Sequence, residues 1–178
     1  MLKKRQPGVT LIEIMMSLII MAVLVAAGLP SFSTFLQNRK VRNAAEAIQN
    51  GLNIAKAEAV RRNTVVVFNL AAGSSWSLTC ANCTDTLPSM PASEISSVVS
   101  TSPTTVQLSF NGFGKATNLA DGVNSLIDIG NTTGTCETDG GSIRCLRIVV
   151  APGGQIRTCD RRLTVTNPTS PQACPATP

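Results

Sequence analysis

Residues 3–30 read KKRQPGVTLIEIMMSLIIMAVLVAAGLP, a basic flank, a glycine and then an almost unbroken aliphatic run that contains one carboxylate, Glu13. As a helix, Val9 to Leu29 is about 31 Å long at ~1.5 Å per residue. That matches the ~30 Å hydrocarbon thickness of a bilayer. The basic flank predicts a cytoplasmic N-terminus, with the rest of the chain on the far side of the inner membrane. A cleaved secretory signal is the alternative, and Val25-Ala26-Ala27 offers a small-residue cleavage site. Glu13 argues against it. A carboxylate in such a run costs roughly 2.5–3.5 kcal/mol near the helix centre and less near an end, so it needs a partner. The nearest candidate cation is a free amine at Val9, four residues upstream, created by a cut after Gly8.

Beyond Gly28-Leu29-Pro30 the pattern changes. Val41, Ala45, Ile48, Leu52, Ala55 and Ala59 recur at alternating steps of four and three, which is one face of a helix. Arg39, Lys40, Arg42, Gln49, Lys56 and Glu58 fall mostly elsewhere. One helix from about Thr10 to Arg61 is the economical reading, kinked at Pro30, where proline removes a backbone hydrogen bond. The stripe predicts packing on a sheet; it is too short for a separate coiled coil. Thr64–Leu70 is β-branched and reads as a strand, followed by WSLT, ISSVV, TVQLSF, SLIDI, IRCLRIVV and QIRT. Turn residues separate most of them, so the fold class is α+β with antiparallel pairing. VVAPGGQIR predicts a hairpin turning at Pro152-Gly153-Gly154. Asn167–Pro178 holds four of the ten prolines and should be irregular.

The chain has 178 residues, six cysteines and no histidine. Cys80, Cys83, Cys136, Cys145, Cys159 and Cys174 are even in number and follow an export-like segment, which points to disulfides. The local set Cys80–Cys83, Cys136–Cys145 and Cys159–Cys174 is expected. Half of a zinc site at C-A-N-C is the rival, but no second CxxC or histidine would complete it. Without histidine there is no Ser-His-Asp or Cys-His arrangement. No phosphate loop or dinucleotide fingerprint is present, and the acids form no close pair. The expectation is therefore no enzyme, no cofactor and no metal. The net charge is +5, but Lys3, Lys4 and Arg5 supply three of the charges. From Gly140 onward stand five arginines, Arg144, Arg147, Arg157, Arg161 and Arg162, against one acid, Asp160. Arg144 and Arg147 differ by an odd number and should face opposite sides of a regular strand.

The leader ending in Gly8, followed by Val9-Thr-Leu-Ile-Glu13 and the apolar run, resembles the signal of type IV prepilins and type II secretion pseudopilins. Val9 stands where phenylalanine is commonest. The resemblance implies cleavage between Gly8 and Val9 by prepilin peptidase, N-methylation of Val9, and pairing of Glu13 with a neighbouring subunit's terminal amine during assembly. LNIAKAEAVRRNTVVV, FNGFG (Phe110–Gly114) and RIVVAPGGQIRTC narrow it to the GspH/FimT-type group, over nearly the whole chain. That group has a long helix packed on a two-sheet head. Its members include minor pilins thought to prime filaments near the tip, and the type II secretion pseudopilin GspH. Some FimT-like members capture DNA for natural transformation through a Gly-Arg-x-Arg motif. The matching residues here are Gly154, Gln155 and Arg157, with glutamine in the first arginine position; Arg161 and Arg162 follow closely.

The resulting organisation is a leader at 1–8, a transmembrane and assembly helix at 9–30, an amphipathic helix at 31–63, and a β-rich periplasmic head at 64–178 with a disulfide-tied tail. The implied partners are other minor and major pilins, the peptidase, the inner-membrane assembly platform and double-stranded DNA. The functions implied are a type IV minor pilin, a DNA-binding pilin, or the pseudopilin of a type II secretion system.

Overall fold

The computed structural model describes residues 8–80, 83, 85–91, 98–120 and 122–175. The expected leader lies outside them, apart from Gly8, and so does most of the strand expected at ISSVV. The chain divides into two compact units, Met1–Phe35 and Leu36–Pro178. The first consists of the opening part of α1 (Leu11–Arg62), whose backbone stays helical through position 30, so proline does not end it. Its apolar side chains are exposed throughout, from Leu11 to Phe35. This stretch is long and apolar enough to cross a membrane.

The second unit is built on the rest of α1. Val41, Ala45, Ile48, Leu52, Ala55 and Ala59 are all fully buried, so the stripe read from the sequence is the core face. Burying each of the larger side chains contributes about 1.5–3 kcal/mol. Small residues on that face let the helix sit close to its sheets. At Gly51 a methyl group would collide with Trp76 and Phe68. Those two rings stack 5.9 Å apart against the helix at this point.

The strands are β1 (Val66–Leu70), β2 (Trp76–Cys80), β3 (Ser89–Met90), β4 (Val99–Ser102), β5 (Val106–Phe110), β6 (Ser125–Asn131), β7 (Leu146–Val150) and β8 (Ile156–Asp160). They form two four-stranded sheets, in the orders β3-β2-β1-β5 and β4-β6-β7-β8, with every pairing antiparallel. The chain changes sheet between β3 and β4, back between β4 and β5, and again between β5 and β6. Alternation places Val66, Phe68, Leu70, Trp76, Leu78, Leu108 and Phe110 inward from the first sheet. Ile127, Ile129, Ile148 and Val150 point inward from the second. The outer face of the first sheet carries a polar ladder in which Gln107 donates to Asn69 at 3.0 Å and Asn69 to Thr79 at 3.1 Å. Asn118 closes the edge of β5: its amide accepts from Ser109 N–H and donates to the Gln107 carbonyl. A capped edge resists unwanted strand pairing.

The three disulfides are Cys80–Cys83, Cys136–Cys145 and Cys159–Cys174. Cys159–Cys174 draws the tail over the outer face of the second sheet. There Val149, Cys159 and Cys174 make a second, small buried cluster with Leu126. Several details differ from the sequence reading, among them β3 at Ser89–Met90, which none of the expected strands covers. The strand expected from Ile143 begins only at Leu146, because Ile143 bridges Cys136 and Cys145 is tied to that same residue. And Arg161–Thr166 form a short helix, α2, started by Asp160, whose carboxylate accepts from Arg162 N–H at 2.9 Å.

Candidate functional site

Two groups of residues carry the chemistry that the sequence singles out. The first is the start of α1. Thr10 precedes the helix, and its carbonyl and hydroxyl both accept from Glu13 N–H, at 3.1 and 3.4 Å. Thr10-Leu-Ile-Glu13 thus has the spacing of a capping box, with an acid in the first turn facing the positive end of the helix dipole. Gly8, Val9 and Glu13 are all exposed. Val9 and Glu13 are therefore open to another molecule.

The second group is the C-terminal arginines. Register aligns Leu126, Val149 and Arg157 in one row across β6, β7 and β8, and Asp128, Arg147 and Cys159 in the next. Arg147 grips Asp128 with two bonds, at 2.6 and 2.9 Å. That hydrogen bonding holds the Arg147 guanidinium above its ordinary pKa, against the opposing effect of burial. Arg161 reaches the same carboxylate at 3.9 Å. Arg144 pairs with the buried Asp160 at 2.6 Å, and Arg162 with Glu137 at 3.1 Å.

The five arginines do not form one array of open cations. Four are committed to carboxylates, and Arg161 and Arg162 leave the strand on α2. Arg144 lies outside β7, so it does not alternate with Arg147 on a regular strand. Arg157 alone is exposed and has no ion pair with a described carboxylate. Asp128 and Glu137 were not flagged from sequence. Their signal was the opposite charge of Arg147 and Arg162, which becomes readable only once strand register is known.

The glycine motif has its own task. Gly154 is buried at φ +76°, in the left-handed region, and a methyl group there would collide with the Gly114 carbonyl. Its own carbonyl accepts from Lys56 Nζ at 2.8 Å. Ala116 N–H donates to the Pro152 carbonyl at 3.0 Å. The β7–β8 turn is thereby locked to the turn after β5 and to the end of α1. Gln155 is exposed beside it.

An apolar N-terminal helix joined to a head of two antiparallel sheets defines a pilin-like subunit. A family model described as Prokaryotic N-terminal methylation motif matches residues 3–29, and one described as Type II transport protein GspH matches residues 44–154. The chain belongs to this GspH family. Two crystal structures of the type IV minor pilin FimU from Pseudomonas aeruginosa PAO1 are similar. One is 18% identical with a TM-score of 0.48, covering 66% of this chain and 90% of that one. The other is 17% identical with a TM-score of 0.49, covering 69% and 90%. No curated protein matches the chain.

Proposed function

We propose that this chain is a minor pilin of a type IV pilus, cut between Gly8 and Val9 by prepilin peptidase, methylated at Val9 and docked into the filament through Glu13. The observation that carries the reading is the methylation motif running into an exposed apolar helix with one carboxylate a turn from its start. In this reading the chain waits in the inner membrane with its N-terminus cytoplasmic and its head periplasmic. The assembly platform then extracts it, and the Glu13 carboxylate meets the terminal amine of a neighbouring pilin. Inside a bundle of helices such a pair selects register, because a mismatched carboxylate stays buried without a partner. The head then primes or caps the growing end. The test is Glu13→Ala in the full chain. Mass spectrometry should find Val9 exposed and methylated as before, while the sheared filament fraction loses the protein. Normal incorporation would refute the role of Glu13.

Two observations favour other readings. The matching family model carries a secretion-system description, which supports a type II pseudopilin; recruitment by secretion genes rather than pilus genes in a deletion strain distinguishes them. The open Arg157 supports binding of DNA phosphates during natural transformation, since a guanidinium fork meets two oxygens. With the neighbouring arginines paired to acids, this predicts weak binding and a shallow salt dependence, about one unit of log–log slope per phosphate engaged. Fluorescence anisotropy of residues 31–178 with duplex DNA should lose its signal in Arg157→Ala. Equal binding by both proteins would remove the site from consideration.

A further inference from the structure

Asparagine precedes glycine at two places in the chain, Asn50-Gly51 and Asn111-Gly112. A glycine in that place leaves its backbone nitrogen open to the preceding side-chain carbonyl carbon, because no Cβ screens the approach. The fold treats the two pairs differently. Asn50 is exposed, but Gly51 lies in the interior of α1, where its N–H belongs to the helical ladder. Gly51 is also buried, against Trp76 and Phe68. Its nitrogen is fixed in place and tied up in a hydrogen bond.

Asn111-Gly112 opens the turn after β5. Val66 pairs with Phe110, which sets that turn beside Val65 and the end of α1. The Asn111 N–H donates to the Lys115 carbonyl, and its own carbonyl accepts from Gly114 N–H. The side-chain oxygen Oδ1 accepts from Phe113 N–H at 3.1 Å and from Lys115 N–H at 3.0 Å. Two fixed amide donors on one carbonyl oxygen polarise it and stabilise the charge that attack at Cγ would put there. Among the described residues, neither Gly112 N–H nor Asn111 Nδ2 has a hydrogen-bond partner. The attacking nitrogen and the leaving group are thus both unengaged, and both residues are half-buried, within reach of water. The turn also demands this dipeptide. A Cβ at Gly112 would collide with Asn63, and the Asn111 side chain supplies the two Oδ1 bonds.

We infer that Asn111-Gly112 is a self-modification site, at which the native turn converts Asn111 into aspartate and isoaspartate. Gly112 gives its N–H proton to solvent, its nitrogen attacks Asn111 Cγ, and the Cγ–Oδ1 π pair moves onto Oδ1. Collapse of that intermediate expels Nδ2, which takes a proton from solvent and leaves as ammonia, closing a succinimide. Water then opens the ring at either carbonyl. Each conversion consumes a water molecule and releases an ammonia. It sets a carboxylate near the exposed Lys115, and the isoaspartyl form adds a methylene to a turn packed on Asn63 and Gly154. The added charge accumulates with the age of the subunit.

The test incubates the full-length oxidised chain in detergent at neutral pH, in water labelled in its oxygen, beside the same chain reduced and unfolded in denaturant. Peptide mass spectrometry follows label uptake at both asparagines, and fragmentation separates aspartate from isoaspartate. In the unfolded chain the two sites should react at similar rates. In the native chain Asn111 should react at least as fast as in the unfolded one. Asn50 should be slower than its unfolded counterpart by roughly tenfold or more, since Gly51 must first leave the helix. A native Asn111 slower than its unfolded counterpart overturns the inference, as does label uptake at Asn50 that matches or exceeds uptake at Asn111.

Discussion

Removing the carboxylate of Asp128 tests how the outer face of the second sheet is held. Asp128 takes two bonds from Arg147, at 2.6 and 2.9 Å, and lies 3.9 Å from Arg161. The Arg147 side chain is 15% exposed, so in Asp128→Ala its guanidinium is left mostly covered without its partner. Losing one partner of a fully buried pair costs about 3–5 kcal/mol, and an exposed pair contributes ~0–1 kcal/mol. Partial cover at both residues sets the expectation between these, at about 1–3 kcal/mol. For a head of this size each kcal/mol lowers Tm by roughly 2–4 °C. The assay is denaturant unfolding of the oxidised head, run as a double-mutant cycle with Arg147→Met. Arg147→Met alone should cost less than Asp128→Ala, because it leaves a more exposed carboxylate that retains Arg161. The coupling should be about 1 kcal/mol or more. Asp128→Ala also raises the charge of the Arg157 face by one, so any phosphate affinity there should rise. A coupling near zero, with the single substitutions costing less than about 0.5 kcal/mol, would refute the claim that this pair orders the face.

Gly154→Ala should destabilise by about 2–4 kcal/mol, since the left-handed backbone and the Gly114 carbonyl both oppose a side chain. Gly153→Ala, with open space around it and no positive φ, should be close to neutral, and equal denaturation midpoints for the two variants would count against the locked turns. Hydrogen bonds from Arg61 and then Arg62 lower the Glu58 pKa below its ordinary value. A depressed folded-state pKa contributes stability that is present in full above the unfolded pKa and is lost as pH falls through the folded one. Glu58→Gln should therefore flatten the acid limb of a stability–pH curve and leave its shape above the carboxylate range unchanged. The effect should be small because Arg61 is largely exposed, and an unchanged acid limb would show that the pairs do not contribute.

Local rules carried much of this protein. Chain length and hydropathy marked the apolar segment, and a four-three spacing marked the buried stripe from Val41 to Ala59. Turn chemistry marked the β7–β8 hairpin, and cysteine proximity marked the three bridges. Each is decided within a few residues, where spacing and side-chain type act directly. The division of the strands between two sheets was not legible, because β4, β5 and β6 alternate between sheets through pairings far apart in sequence. Register was not legible either, and register sets Arg147 opposite Asp128 and Val65 beside Asn111. The arginine-rich end reads as one basic tract in sequence. Tertiary packing divides it into four paired guanidiniums and the open Arg157, because charge is neutralised by neighbours in space, whatever their order along the chain.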